Sequence, residues 1–281
     1  VAPIGLPPFP ASLHRRYRAL RALPFQEDRE GLTVHRPRFA LVPRYGARFN
    51  PAQIARAVLS AVRGQAFDVV DAQFFYPDGP AAMRVAASLG LPFSIKARGA
   101  DISHFGHDPA SQAQHLGAAD RAAGLLAVSE AMRRDMAAIG IDPAKVAVHY
   151  TGIDTARFSP GDRAAARAAR GMGEAPAIAT VGALIARKGQ ALVIEALSAL
   201  PGVHYWIAGA GEEEGRYRAL AKRQGVADRV HLMGPLAQAD LPQLYRAADA
   251  VVMPSRSEGL ANAWVEALAC GTPIVISDAG G

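Results

Sequence analysis

From Pro51 onward, short runs of apolar and β-branched residues take turns with amphipathic segments of helical period, and this alternation constrains the chain most. Residues 68–73 (DVVDAQ), 92–97 (PFSIKA), 124–128 (GLLAV) and 145–149 (KVAVH) read as strands. Helices fall between them. Pro51 suits a first helical turn with Ile54, Val58 and Val62 at helical spacing, a second helix runs through 81–89, and Ser129 is placed to cap a third through Ile139. Turn residues and Pro160 interrupt the pattern over 150–170, ending in a short, polar Ala/Arg helix. Strands at 177–181, 203–208, 230–233, 250–253 and 274–276 then alternate with helices at 188–200, 212–224, 239–247 and 262–269. Short buried strands separated by helices predict an α/β chain of doubly wound parallel sheets with helices on both faces.

At 281 residues the chain has room for two domains, and the interruption predicts them at 1–158 and 159–281. Half of the residues are hydrophobic and 20% are charged, which excludes disorder and fibrous repeats. No apolar run approaches the ~20 residues of a membrane span. Cys270, the one cysteine, has no internal disulfide partner and fits a reducing compartment. The net charge of +6 raises the question of a polyanion. Its arginines are scattered through helices, however, so solvated helix faces are the better reading and nucleic acid is set aside. The densest cluster is His14, Arg15, Arg16, Arg18 and Arg21, on a helix expected across 12–23 between prolines. It reads as a solvated face, with peripheral contact to an anionic membrane surface or an acceptor phosphate as the alternative.

Ligands of open α/β sheets sit at the carboxyl ends of strands, so chemistry is sought in the loops that follow them. The loop after 177–181 runs from Gly182 through Arg187, Lys188 and Gly189 into a helix, which suits an anion by the peptide-dipole argument. A solvated Arg-Lys pair is an equal reading. The loop Gly209-Ala210-Gly211 before Glu212–Glu214 reads as a tight turn with a well-capped helix. The sharpest feature is PSRSEGLANAWVEALACGTP, residues 254–273. Glu258 lies in a loop, and Glu266 lies two turns into a helix among Trp264, Val265, Ala267 and Leu268, where a carboxylate is costly unless it binds something. The amides of Gly259, Leu260, Ala261 and Asn262 sit at that helix start. Carboxylates for hydroxyls beside amides and cations for a diphosphate suit a sugar nucleotide.

These residues resemble glycosyltransferase family 4, with its two-Rossmann-domain GT-B fold. The likeness is carried by the Glu-x7-Glu pair Glu258 and Glu266, by the Gly182…Arg187-Lys188-Gly189 loop, by RVHLMGPLAQADLPQLYRAADAVVMPS and by VAVHYTGIDTARFSP. It covers the chain from about Asp68 onward. The resemblance implies two domains facing across a cleft, with residues 1–158 on the acceptor side and 159–281 holding the donor. It further implies a cytoplasmic, metal-independent, retaining transferase that needs no cofactor beyond its nucleotide-sugar donor. The acceptor would be a glycan, a lipid-linked sugar or a small molecule. By the resemblance, Glu266 binds ribose hydroxyls, Glu258 the transferred sugar and Lys188 the departing diphosphate, while Met233 and Gly234 meet the base. A non-catalytic sugar-nucleotide or glycan-binding module of the same fold is the alternative.

Departures from the family pattern fall mostly on the acceptor side. Ala183 stands where the family usually has arginine, so Arg187 is expected to compensate. The family's His-Gly-x-Asp is Arg98-Gly99-Ala100-Asp101 here; arginine cannot act as a base, and Arg98 is assigned to phosphate or an anionic acceptor, with Asp101 beside it. Gln73 replaces a common histidine, and 77–80 (PDGP) reads as a turn or acceptor-lining loop. His104, His107 and His115 lack a metal-binding framework and read as surface or cleft residues. By comparison with the family, the first strand and helix and the last helices are expected to lie beyond 1–281.

Overall fold

Parallel strand pairing organises the computed structural model, which describes residues 1–8, 14–41 and 46–278. The chain divides into Val1–Tyr150, here unit 1, and Thr151–Gly281, unit 2. Unit 1 contains β1 (Ile4–Leu6), α1 (Arg15–Ala22), β2 (Gln26–Arg29), β3 (Leu32–His35), β4 (Arg38–Ala40) and α2 (Asn50–Ala61). It continues with β5 (Val70–Ala72), α3 (Asp78–Leu89), β6 (Phe93–Ala97), α4 (Ala100–Ser103), α5 (Pro109–Arg121), β7 (Gly124–Ala127), α6 (Glu130–Ala138) and β8 (Val146–Val148). Strands β5-β6-β7-β8 form a parallel sheet in that order, and β1 pairs with β4 in a second parallel sheet. Local chemistry sets the helix starts. Pro51 occupies the first turn of α2, and the Ser129 hydroxyl accepts from the Met132 amide at 3.1 Å to cap α6.

Two parts of unit 1 differ from the sequence expectation. Residues 26–35 form an antiparallel hairpin, β2–β3, closed by Glu30 and Gly31, both at positive φ. Its first strand, QEDR, is polar and carries no apolar alternation. Residues 77–80 do not form a loop, because α3 already begins at Asp78. The start of the helix expected from residue 12, and residues 279–281, lie outside the described residues.

Unit 2 contains α7 (Arg163–Ala169), β9 (Ala177–Val181), α8 (Gln190–Ala196), β10 (His204–Ala208), α9 (Glu214–Arg223), β11 (Val230–Gly234), α10 (Leu241–Ala247), β12 (Ala250–Met253), α11 (Asn262–Ala269) and β13 (Ile274–Ile276). All five strands are parallel, in the order β11-β10-β9-β12-β13. Successive residues of one strand enter opposite cores. Ala177 and Ala179 of β9 pack with Leu244, Tyr245, Trp264 and Ala267, whereas Ile178 between them packs against the core of Ile194, Tyr217 and Leu220 on the other side. Burial on both faces is what a Rossmann-like sheet with helices on either side requires. The chain moves outward from β9 in both directions, so the loops after β9 and β12 part at the topological switch point. Among the described residues no helix is long and apolar enough to cross a membrane.

Candidate functional site

Two loops meet at that switch point. The loop after β9 crosses to the loop after β12 through the Arg256 amide, which donates to the Arg187 carbonyl at 2.9 Å. Gly189 permits this approach: it sits at φ +74°, and a Cβ there would lie 2.2 Å from the Pro254 carbonyl oxygen. Lys188 Nζ lies 2.5 Å from Glu258 Oε1, with side chains only 14% and 9% exposed. Arg187 Nη1 lies 3.5 Å from the same oxygen and donates to the Ser257 carbonyl. Lys188 and Arg187 therefore converge on one glutamate; Lys188 is largely withdrawn from solvent, whereas Arg187 stays exposed, so the reading of a solvated pair fails for Lys188. The helix expected from Lys188 begins at Gln190, after a short turn over Ala186–Lys188. Side-chain charge, rather than a long helix dipole, dominates this spot.

Glu266 lies on α11 and is 8% exposed. Tyr245, fully buried on α10, donates its hydroxyl to Glu266 Oε2 at 2.7 Å. Burial and this carboxylate push the Tyr245 phenol far above its ordinary pKa, so it stays a donor at any working pH. Thr272 in turn donates to the Tyr245 carbonyl at 2.7 Å. Glu266 and Asn262 line a small cavity of about 80 Å³ with Thr151, Gly152, Ile153, Asp154, Phe158, Gln238 and Val265. The Lys188–Glu258 pair does not line it. Segment 151–154, part of the turn-rich interruption of the sequence pattern, thus contributes a wall. Its Thr-Gly-x-Asp turn, in which the Asp154 carboxylate accepts from the Ala156 and Arg157 amides, was the available signal.

The remaining donor-side candidates are mostly backbone. Gly182 donates its amide to the Ala208 carbonyl at 2.9 Å, and a Cβ on neighbouring Gly209 would lie 1.9 Å from the Gly182 oxygen. Glycine at 209 thus lets two strand-end loops touch. Gly234, at φ +72°, accepts from the Gly209 amide at 2.9 Å. The side chains of Met233, Leu260 and Ala261 pack against the core, which leaves their main chain as the available surface. Gly259 and Asn262 flank the start of α11.

In unit 1, Arg98 and Asp101 follow β6. Asp101 is fully buried, and its carboxylate accepts from the amides of Phe75 at 2.7 Å, Gly99 at 2.6 Å and Arg98 at 3.1 Å. It is consumed by backbone and shapes the loop; a ligand-facing role for Asp101 is corrected by this geometry. Arg98 is exposed and donates to the Gln73 side-chain carbonyl at 2.9 Å. His104 and His107 are exposed, whereas His115 is fully buried, its ring nitrogens 2.8 Å from the Ser111 carbonyl and 3.0 Å from that of Asp101. His115 is a core residue, not a surface or cleft one. Among the described residues, no three His, Cys, Asp or Glu side chains are placed to share a metal ion.

Known proteins match both units. The model of the family described as Glycosyltransferase Family 4 matches residues 11–157, and that described as Glycosyl transferases group 1 matches residues 162–281. The D-inositol 3-phosphate glycosyltransferase of Mycolicibacterium gilvum is 42% identical over 146 residues, covering 50% of this chain and 33% of that protein. Its counterpart in Mycobacterium tuberculosis strain F11 is 41% identical over 149 residues, covering 50% and 31%. The match thus spans about a third of the length of these curated relatives. Among solved structures, sucrose-phosphate synthase from Thermosynechococcus elongatus superposes with a TM-score of 0.81 at 17% identity, covering 100% of this chain and 82% of its own. Alr3699/HepE of Anabaena in complex with UDP-glucose gives 0.71 at 25% identity, covering 88% and 68%.

Proposed function

Because this chain belongs to the family 4, group 1 glycosyltransferases, we propose that it moves a sugar from a nucleotide-sugar donor to an acceptor hydroxyl, with retention of anomeric configuration. Its two units are the Rossmann-like domains of the GT-B fold. The observation that carries the reading is the Lys188–Glu258 pair at the switch point of unit 2, with the Glu266 cavity on the same loop-helix segment. Lys188 and Arg187 are the groups that meet the diphosphate, and charge developing on the leaving group is what they would stabilise. Arg187 thereby supplies the second cation that Ala183 does not. Glu258, now held by both cations, exchanges them for hydroxyls of the transferred sugar. Glu266, fixed by Tyr245, takes the ribose hydroxyls, and the main chain near Met233 and Gly234 takes the base.

In this reading the leaving diphosphate is neutralised by side chains, and no metal or cofactor is invoked. The donor used as a test is UDP-glucose, the ligand of the 25%-identical Anabaena structure. The acceptor is a hydroxyl compound: a glycan, a lipid-linked sugar or a small molecule. Replacing Glu266 with Ala removes hydrogen bonds to charged oxygen and should weaken UDP-glucose binding roughly ten- to a hundredfold. Isothermal calorimetry reads this directly. An affinity equal to that of the unsubstituted protein would remove Glu266 from the donor site.

A further inference from the structure

Gln190 and Tyr217 are fully buried polar side chains that the proposed transfer does not use. Gln190 opens α8 directly after the loop that carries Arg187 and Lys188, and Tyr217 lies on α9. The Gln190 amide nitrogen donates to the Ala183 carbonyl at 3.0 Å, which joins the two ends of that loop. Its Oε1 accepts from the Tyr217 hydroxyl at 3.1 Å, and the same hydroxyl lies 3.3 Å from the Ile185 carbonyl oxygen. Turning the amide over would set Oε1 against the Ala183 carbonyl, acceptor against acceptor, so the nitrogen must point there. Oε1 then requires the single phenol proton of Tyr217. Burial, and then Glu213, hold the Tyr217 pKa above its ordinary value, which keeps that proton in place at neutral pH.

Neighbouring backbone fixes the first half of the loop: the Leu184 amide donates to the Ala210 carbonyl and the Leu184 carbonyl accepts from the Glu213 amide, both at 3.0 Å. The second half is a tight turn over Ala186–Lys188, in which the Lys188 amide donates to the Ile185 carbonyl at 3.0 Å. Gln190 ties the far end of this turn back to Ala183, and Tyr217 braces the tie from α9. A lysine ammonium is a point charge on a flexible four-carbon stem, so the backbone beneath it sets where Nζ can stand. A charged group about 1 Å out of place can cost on the order of a hundredfold in rate.

We propose that Gln190, braced by Tyr217, is a positioning residue that latches the loop so that Lys188 stands where charge develops on the leaving diphosphate. The latch itself rests on the geometry; its effect on the diphosphate rests on the transfer reading. Under that reading, cutting the latch removes stabilisation of the leaving group and leaves the donor contacts of Glu266 and the base in place. Such a loss lowers kcat and spares KM.

The test follows UDP release from UDP-glucose by the protein, with water and a panel of hydroxyl compounds as acceptors. Gln190→Met should lower kcat at least roughly tenfold with KM changed less than about threefold, and Tyr217→Phe should lower kcat about three- to tenfold. Gln190→Glu adds a pH signature. Its carboxylate cannot donate to Ala183, but burial raises its pKa, and the protonated acid restores both hydrogen bonds. Its kcat relative to the unsubstituted protein should therefore recover as pH falls from about 8 to about 6, while that of Gln190→Met stays flat. Unchanged kcat in Gln190→Met, kcat and KM failing together, or a Gln190→Glu ratio that ignores pH overturns the proposal. Tyr217→Phe keeps the question answerable if Gln190→Met misfolds. Failure of the transfer reading looks different: the unsubstituted protein then binds no UDP-glucose in calorimetry, and amide hydrogen exchange decides the latch alone. Faster exchange at the Lys188 amide in Gln190→Met supports it, and equal exchange overturns it.

Discussion

Each unit places cations at the carboxyl ends of its strands, but the two solve the charge problem differently. In unit 2, Lys188 and Arg187 face Glu258, so the cluster is neutralised from within. In unit 1, Lys96 leans on an imidazole and Arg98 on an amide. The nearby acids are treated differently as well. Asp101 of unit 1 is saturated by backbone amides, whereas Glu266 of unit 2 keeps one fixed oxygen and a face on a cavity. Burial alone therefore does not mark a functional carboxylate; what marks it is capacity left over after the protein's own donors are counted.

The largest expected effect breaks the comparison at Asp101. Replacing it with Ala strands the amides of Phe75, Arg98 and Gly99 in a buried loop. Each lost acceptor costs about 1–3 kcal/mol, so a loss of roughly 3–5 kcal/mol is expected in chemical denaturation. A loss under about 1 kcal/mol would mean that Asp101 is not the structural acid it looks like.

Asp78 comes next. Burial, and then the Asp101 carboxylate, push its pKa up to about 6 from 3.8. Between those values the folded state binds more protons than the unfolded state, so this group makes stability rise as pH falls from about 6 towards 4. Above pH 6 it costs roughly 1–3 kcal/mol. Asp78→Asn should therefore stabilise the protein by about that amount at pH 7 and lose its advantage by pH 4. Urea midpoints at the two pH values read it, and an equal change at both would refute the assignment.

A smaller effect sharpens the cation comparison. Glu258→Gln puts a neutral amide opposite Lys188 and makes the unit 2 cluster resemble that of unit 1. Inorganic phosphate should then bind about three- to tenfold more tightly, the range of a partly exposed ion pair. Glycosyl transfer should fall in the same variant. Unchanged phosphate affinity would show that Glu258 does not hold the cations in check.

What was readable in the sequence follows burial. Strands Ala177–Val181 and Ala250–Met253 and helix Asn262–Ala269 lie at the residues expected of them, because a sheet covered on both faces needs uninterrupted apolar runs. The hairpin Gln26–His35 escaped because its strands are largely exposed and need no alternation; only Glu30-Gly31 marked it. Helix Pro109–Arg121 carried its start signal in Asp108-Pro109, but its Ala, Gln and His residues draw no clear apolar stripe. At the site, the burial of Glu266 was legible from its apolar neighbours. Its donor, Tyr245, lies 21 residues away, and the Lys96–His149 contact spans 53. Such partners are set by sheet order, which no local pattern encodes.

The smallest effect lies at the end of the unit 2 sheet opposite Lys188. His204 Nδ1 lies 2.9 Å from His231 Nε2, the rings stack at 5.2 Å, and Trp206 stacks on His231 at 4.0 Å. One nitrogen must donate and the other accept, so the pair is incompatible with two imidazolium rings. Burial, and then His204, lower the His231 pKa from 6.5. The unfolded chain therefore takes up a proton before the folded one does, and stability falls as pH drops through 6.5 towards the lowered value. This slope is opposite in sign to that of Asp78 over an adjoining pH range, so the unsubstituted protein should show the two partly cancelled. In an Asp78→Asn background the loss below pH 6.5 should stand out in thermal unfolding, and adding His231→Gln should flatten it. A curve that His231→Gln leaves unchanged would place the acid sensitivity elsewhere.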